Sequence, residues 1–254
     1  MSGDDGRPRV LVTNDDGIDA PGLHVLAATA VAAGFDVTIA APAEQSSGSS
    51  ASITATEVDG RIGVERRQLD GLDGVPAFAV QGGPGLIALI AAHGAFGQPP
   101  ELVLSGVNHG ANVGRAILHS GTVGAALTAG LNGARGIAIS LDVGMRPSRF
   151  HWATGADAAV ALIPDLRSRP PGTVLNVNAP NALETLGVIE AALAPFGIVQ
   201  TTMHRDGDHH VRLAVEDVPN EPVPDSDAAL LAEGWATLTA ITAVTAVPLL
   251  SPVR

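Results

Sequence analysis

The sequence predicts an α/β protein built on an open, mostly parallel sheet. Three observations carry that prediction. Short apolar runs at 10–13, 36–41, 101–105, 136–141 and 173–178 have strand length and recur along the chain. Stretches with apolar residues at helical spacing lie between most of them, the alternation that builds βαβ units. The packing material is small: a chain that is 46% hydrophobic holds 30 glycines and only 3% aromatics, which suits close helix-on-sheet contact.

Taken in order, residues 9–14 form the first strand, which stops on Asn14-Asp15-Asp16-Gly17. Pro21 falls at the first helical position, where its missing N–H costs nothing. Leu23, Leu26, Ala27 and Ala30 follow at helical spacing until Gly34 ends the helix. The strand at 36–41 completes a right-handed βαβ unit, and a serine-rich loop, 46–52, follows it. Residues 53–81 alternate like antiparallel strands, at 53–56, 62–65 and 76–80. A helix over 84–93 is stopped by Gly94, and Pro99-Pro100 turns the chain into the strand 101–105. The loop 106–119 leads into a small-residue helix that opens at Ser120-Gly121-Thr122. A strand at 136–141, a helix over 151–166 and a strand at 173–178 complete the parallel set. From about residue 186 the character changes. Strands at 188–193, 198–203 and 211–215 surround a polar hairpin tip at 205–208, followed by a short helix over 225–233 and a strand at 235–241. The expected division is an α/β core over 1–182 and a C-terminal extension over 183–254.

Composition narrows the function. A net charge of −12 argues against a duplex nucleic-acid surface, which needs a basic footprint. All 14 basic residues are arginines, so no P-loop lysine is available to a phosphate. With no cysteine, disulfides, zinc–thiolate sites and thiol nucleophiles are excluded. The N-terminal stretch lacks the apolar core of a signal peptide, and no apolar run reaches the ~18 residues that span a bilayer. A soluble, cytoplasmic protein without a membrane partner is expected.

Three loops after strands carry the chemistry. At 14–17 two adjacent carboxylates and an amide, without a basic neighbour, repel one another unless a divalent cation with a taste for oxygen ligands joins them. The competing explanation is a turn, since Asn, Asp and Gly favour turns whatever the function. The serine loop adds hydroxyls, and the loop 106–119 adds amides and glycines at 106, 110 and 114 that let backbone approach a ligand. Ser120-Gly121-Thr122 opens a helix, where free N–H groups and the dipole attract phosphate; the same residues also suit a plain N-cap.

The order and wording of these loops resemble the SurE (survival protein E) family of divalent-metal-dependent nucleotidases. The matching strings are Val12-Thr-Asn-Asp-Asp-Gly-Ile-Asp-Ala-Pro-Gly22, Ala41-Pro42 with Ser47-Gly48, Ser105-Gly-Val-Asn-His-Gly-Ala-Asn-Val-Gly114 and Ser120-Gly-Thr-Val123. Ile139-Ser-Leu141, Leu175-Asn-Val-Asn178, Asp227-Ala-Ala-Leu and Glu233-Gly-Trp235 add to them. The resemblance implies a three-layer α/β/α, Rossmann-like fold whose C-terminal hairpin and helix extension serves oligomer contacts in a homodimer or homotetramer. It implies hydrolysis of nucleoside monophosphates, a 5'/3'-nucleotidase, with one divalent cation per subunit, Mg²⁺ or Mn²⁺. Carried over by position, the metal ligands are Asp15, Asp16, Ser47 and Asn108, with Asp15 and Asp16 catalytic. Asn14, Asn112, Ser120, Gly121 and Thr122 lie against the phosphate. Two further functions remain open: a phosphatase of a specialised phosphorylated metabolite, and a weakly catalytic nucleotide-binding or interaction protein on the same fold.

The chain departs from the family pattern at several points. Gly82-Gly83-Pro84-Gly85-Leu86 stands where the family has Gly-Thr-Pro-Ala-Asp. His119 replaces a Tyr, Arg115 an acidic residue and Thr128 a Glu. These places bear on base preference, oligomer geometry and rate, and none removes an expected metal ligand. Arg115 and His119 at helical spacing are candidates to aid the leaving group, against simple solvation. His209-His210 at the hairpin tip are expected to be exposed, and Arg146 and Arg149 to lie in a solvated loop. Asp19 is expected to cap the first helix.

Overall fold

The computed structural model of the chain describes residues 6–144, 147–195, 200–206, 210–216 and 223–245. Arg146, His209 and the hairpin tip at 207–208 lie outside the described residues.

In chain order the elements are β1 (Arg9–Thr13), α1 (Pro21–Ala32), β2 (Asp36–Pro42), β3 (Glu57–Val58), β4 (Arg61–Ile62), β5 (Val64–Arg67), β6 (Ala77–Val80) and α2 (Pro84–Ala92). They continue as β7 (Leu102–His109), α3 (Gly121–Leu131), β8 (Arg135–Asp142), α4 (Trp152–Ala161), α5 (Ile163–Ser168), β9 (Val174–Pro180) and β10 (Val188–Glu190). The last are β11 (Gln200–Asp206), β12 (His210–Glu216), α6 (Asp227–Ala232) and β13 (Ala236–Ile241), and a short 3₁₀ turn, Gly114–His119, leads into α3.

Nine strands form one sheet in the order β10-β13-β9-β8-β7-β1-β2-β6-β5. The six from β9 to β6 are mutually parallel, whereas β5 and β13 run antiparallel to β6 and β9. The β-strand period of two puts alternate side chains on opposite faces. Val10 and Val12 therefore join the cluster under Leu23, Leu26 and Ala27 of α1 and Ala156 and Ala159 of α4. Leu11, between them, joins Ile87 and Ala91 of α2 and Ala125 and Ala129 of α3 on the other side. Helices thus cover both faces, and the expected α/β/α architecture is observed. Burying each Leu or Ile here contributes roughly 1.5–3 kcal/mol.

Several elements differ from expectation for identifiable reasons. β7 continues to His109 because its pairing with β8 resumes, Asn108 with Ser140 and His109 with Leu141, after a register irregularity. The helix expected over 151–166 breaks at Leu162 into α4 and α5, because Pro164 lacks the N–H that would continue it. Residues 53–56 form no strand; only Ala55 bridges to Gly82. Within the C-terminal extension, β10 and β13 lengthen the main sheet beyond β9. Asp19 does not cap α1: the N-cap is Ala20, without a side-chain cap bond, and Asp19 instead pairs with Arg67 of β5 at 3.0 Å.

Close helix-on-sheet contact is tightest at Gly22 in the first turn of α1. A Cβ there would stand 2.1 Å from the carbonyl oxygen of Val107 in β7. Gly22→Ala must force α1 from the sheet edge, and a loss of about 1–3 kcal/mol is expected. The urea midpoint checks this, and an unchanged midpoint would show that the two elements have room to part.

Candidate active site

The chain winds β1 to β2 in one direction across the sheet and then restarts at β7 on the other side of β1. At such a switch point the loops leaving neighbouring strands diverge and open a crevice at their carboxyl ends. β1 delivers Asn14-Asp15-Asp16-Gly17 to this crevice, and β7 delivers Asn108 and His109. The turn expected at 14–17 and a ligand site are therefore not alternatives. Asn14, fully buried, builds the turn: its Nδ2 donates to Gly17 O (3.0 Å) and its Oδ1 accepts from Gly17 N (3.2 Å). That closed loop holds the two aspartates in place.

Asp15 is only 5% exposed. Its Oδ1 accepts the Thr122 hydroxyl at 2.6 Å, a short charge-assisted bond that ties β1 to the N-terminus of α3. Its Oδ2 faces Gly121, where a Cβ would stand 2.8 Å from it and 2.6 Å from Ser49 Oγ. Both oxygens pack against the Gly121 Cα, an approach that only glycine permits. Ser49 Oγ is buried there without a hydrogen-bond partner among the described residues. Composition and spacing did not single out Ser49, because one serine in a serine-rich loop carries no distinguishing signal. Ser120 is the N-cap of α3, its Oγ accepting from Val123 N at 3.1 Å. The hydroxyl thus serves the helix, while the first turn of α3 bonds to Asp15 through Thr122.

Asp16 is part-buried, and its Oδ2 accepts the backbone N–H of His109 at 3.2 Å. The neighbouring Asn108 donates from Nδ2 to Gly110 O at 2.7 Å, and among the described residues its Oδ1 takes no hydrogen bond. The serine loop is fastened on both flanks. Ser46 N donates to Asp15 O at 2.8 Å, and Ser50 Oγ donates to Leu118 O at 2.7 Å. Ser47 itself is exposed and accepts from Gln45 Nε2 at 2.9 Å, with no hydrogen bond to either aspartate among the described residues. Asn112 is clamped at the ends of β8 and β9: its N–H donates to Asn178 Oδ1, its Nδ2 to Ser140 Oγ, and its carbonyl accepts from both Asn176 and Asn178. Among the described residues the second N–H of its side-chain amide takes no acceptor. The Gly82–Leu86 departure has a packing consequence, since a Cβ on Gly85 would stand 2.9 Å from Ser52 O. The serine loop lies directly on α2. His119 and Arg115 are both exposed.

Burial pushes the carboxyls of both Asp15 and Asp16 above the usual carboxylate range. At Asp15 the Thr122 hydroxyl and nearby backbone N–H groups oppose this, while the charge of Asp16 adds to it. At Asp16 the opposing group is His109. Among the described residues neither aspartate has a salt-bridge partner, and no three His, Asp or Glu side chains gather in a metal-binding group. The site is therefore an oxygen-donor set with uncompensated negative charge, which fits a hard divalent cation completed by hydroxyl, amide and water.

A doubly wound α/β protein with an acidic cluster of oxygen-bearing loops at its topological switch point is the class these features define. A family model described as survival protein SurE matches residues 10–202, and the chain belongs to the SurE family. It is 37% identical over 245 residues to a 5'-nucleotidase SurE 1 of Burkholderia lata, covering 91% of this chain and 89% of that protein. A 5'-nucleotidase SurE of Rhizorhabdus wittichii is 36% identical, covering 91% and 92%. The crystal structure of a SurE protein from Aquifex aeolicus superposes with a TM-score of 0.73 at 26% identity, covering 92% of this chain and 93% of that one.

The raised carboxyls make a stability prediction. Between the ordinary carboxylate pKa and the raised one, the folded state holds more protons than the unfolded chain, so stability falls as pH rises through that window. In chelator, thermal melts of the wild type should therefore lose more Tm on raising the pH through this range than melts of Asp15→Asn, whose amide can still accept from Thr122. Parallel profiles would refute the account of buried, uncompensated charge.

Proposed function

We propose that this chain is a divalent-metal-dependent phosphatase of nucleoside monophosphates. The observation that carries the proposal is Asp15, buried and aimed by Thr122 at the N-terminus of α3. It holds a buried carboxylate beside the helix N-terminus that we read as the phosphate seat. The names of the relatives, 36–37% identical over nine-tenths of this chain, supply the substrate class.

A divalent cation held by Asp15, Asp16, Ser47 and Asn108 would supply Lewis-acid polarisation of the phosphoryl group. The chain's own residues do the rest by positioning, which is most of what phosphoryl transfer requires. The first turn of α3, at Gly121 and Thr122, offers its positive end to the phosphoryl oxygens. The spare amide N–H of Asn112, held still by Ser140, Asn176 and Asn178, is a further donor to them. Ser120 and Asn14 serve indirectly, one by capping α3 and the other by closing the aspartate loop.

Release of inorganic phosphate from a panel of nucleoside monophosphates and sugar phosphates, with Mg²⁺ or Mn²⁺ added, tests the proposal. Turnover should vanish with chelator and in Asp15→Asn and Asp16→Asn while the fold survives. Nucleotide binding without turnover under any metal would instead identify a binding protein on this fold. Thr122→Val removes only the group that orients Asp15, so a loss of about 10–100-fold in kcat is expected. Full activity in Thr122→Val would show that Asp15 needs no orientation.

A further inference from the structure

On the Asp16 side of the crevice lies a group of three rings. Phe150 and Trp152 are stacked, with centroids 5.2 Å apart and planes 15° from parallel. His109 tilts against both, at 5.3 and 6.2 Å. The concentration is unusual for a chain with five Phe, two Trp and no Tyr. Trp152 is part-buried and lies over Gly22, where a Cβ would stand 3.2 Å from its ring. Phe150 is 40% exposed. Its flanks are fixed by one side chain: Asn181 Oδ1 accepts from His151 N and Asn181 Nδ2 donates to Arg149 O, both at 2.8 Å. An exposed ring on a pinned backbone, stacked on a second ring, is a preorganised planar surface. Its link to the site is direct, because His109 carries one of the three rings and also donates its N–H to Asp16.

We propose that Phe150, backed by Trp152 and edged by His109, is the seat on which the nucleobase of the substrate stacks. This rests on the phosphatase function proposed above and extends it to specificity. The phosphoryl group sits at Gly121 and Thr122 beside Asp15, and the ester then runs past Asp16 toward His109. A nucleoside leaving group carries a planar base for the rings to stack on, whereas a sugar phosphate carries none. Stacking is tolerant of base identity, since every base has a π face. The seat therefore selects nucleotides over non-aromatic esters without choosing strongly among bases.

The test compares a purine nucleoside monophosphate with ribose 5-phosphate in the wild type, Phe150→Leu and Phe150→Trp, with the metal added. Phe150→Leu should lower kcat/KM for the nucleotide about tenfold, within the usual worth of one stacked base, and leave ribose 5-phosphate unchanged. Phe150→Trp should restore the nucleotide rate. No loss, or an equal loss on both substrates, overturns the proposal. An equal loss accompanied by a shift in size-exclusion volume would assign this face to a contact with a second copy. A second measurement does not depend on turnover. In a Trp235→Phe background, a phosphate-free purine nucleoside should quench the fluorescence of Trp152, and Phe150→Leu should abolish the quenching. If no ester is hydrolysed, the phosphatase proposal fails and the quenching still decides the seat; an unchanged emission overturns it.

Discussion

The bond from the Thr122 hydroxyl to Asp15 is the interaction on which the site depends. It joins residues 107 positions apart in the chain at 2.6 Å, and it can form only if β1 and α3 meet at the switch point of the sheet. Asp15 and Asp16 sit there without a cationic partner among the described residues. Leaving a buried and an adjacent part-buried carboxylate uncompensated costs stability. The fold tolerates that cost because large apolar clusters lie beneath both aspartates on the two faces of the sheet. A strained electrostatic arrangement at a functional site, supported by an ordinary core, is the usual relation between stability and activity.

The absence of bulk makes this geometry possible. Gly121 lets Asp15 Oδ2 and Ser49 Oγ close on its Cα. Gly124, one turn on, lets the serine loop lie on α3, since a Cβ there would stand 2.3 Å from Ser50 O. Gly85 does the same for that loop on α2. A glycine-rich and aromatic-poor composition thus has a local meaning: helices and loops approach the carboxyl edge closely enough to seal a small polar pocket. The few rings the chain does possess are then conspicuous where three of them gather beside Asp16.

Much of this was legible in the sequence, and the failures share a cause. Strand β1, the Pro21 start of α1, the helix opening at Ser120 and the aspartate loop were all readable because their signals are local: apolar period, proline placement, caps and turn residues. Asp19 was misread as a cap. A local rule favours acids before a helix, but Arg67 on another strand draws this one away. The helix over 151–166 was read as continuous because its apolar spacing outweighed Pro164. The merging of β10 and β13 into the main sheet was invisible, since pairing partners far apart in the chain leave no periodic trace. In the site, Asp15, Thr122 and Gly121 were legible as motifs. The orphan hydroxyl of Ser49 and the Asn181-pinned ring of Phe150 were not, because each depends on contacts that only the folded chain creates.

The same logic separates the two buried aspartates that the described core contains. Asp227 is fully buried, yet its two oxygens take three backbone N–H groups, from Gly114, Ala194 and Ala228, at 2.8–2.9 Å. Those bonds fasten the turn before α3 to the segment after β10 and to α6, and they satisfy the carboxylate from within the protein. Asp15 takes the Thr122 hydroxyl on Oδ1 at 2.6 Å, has no ion-pair partner among the described residues, and stands next to the second negative charge of Asp16. A buried carboxylate saturated by backbone holds structure together. One left without a charge partner beside a second carboxylate is suited to receive a cation from outside the chain. Burial alone does not distinguish them; the adjacent like charge does.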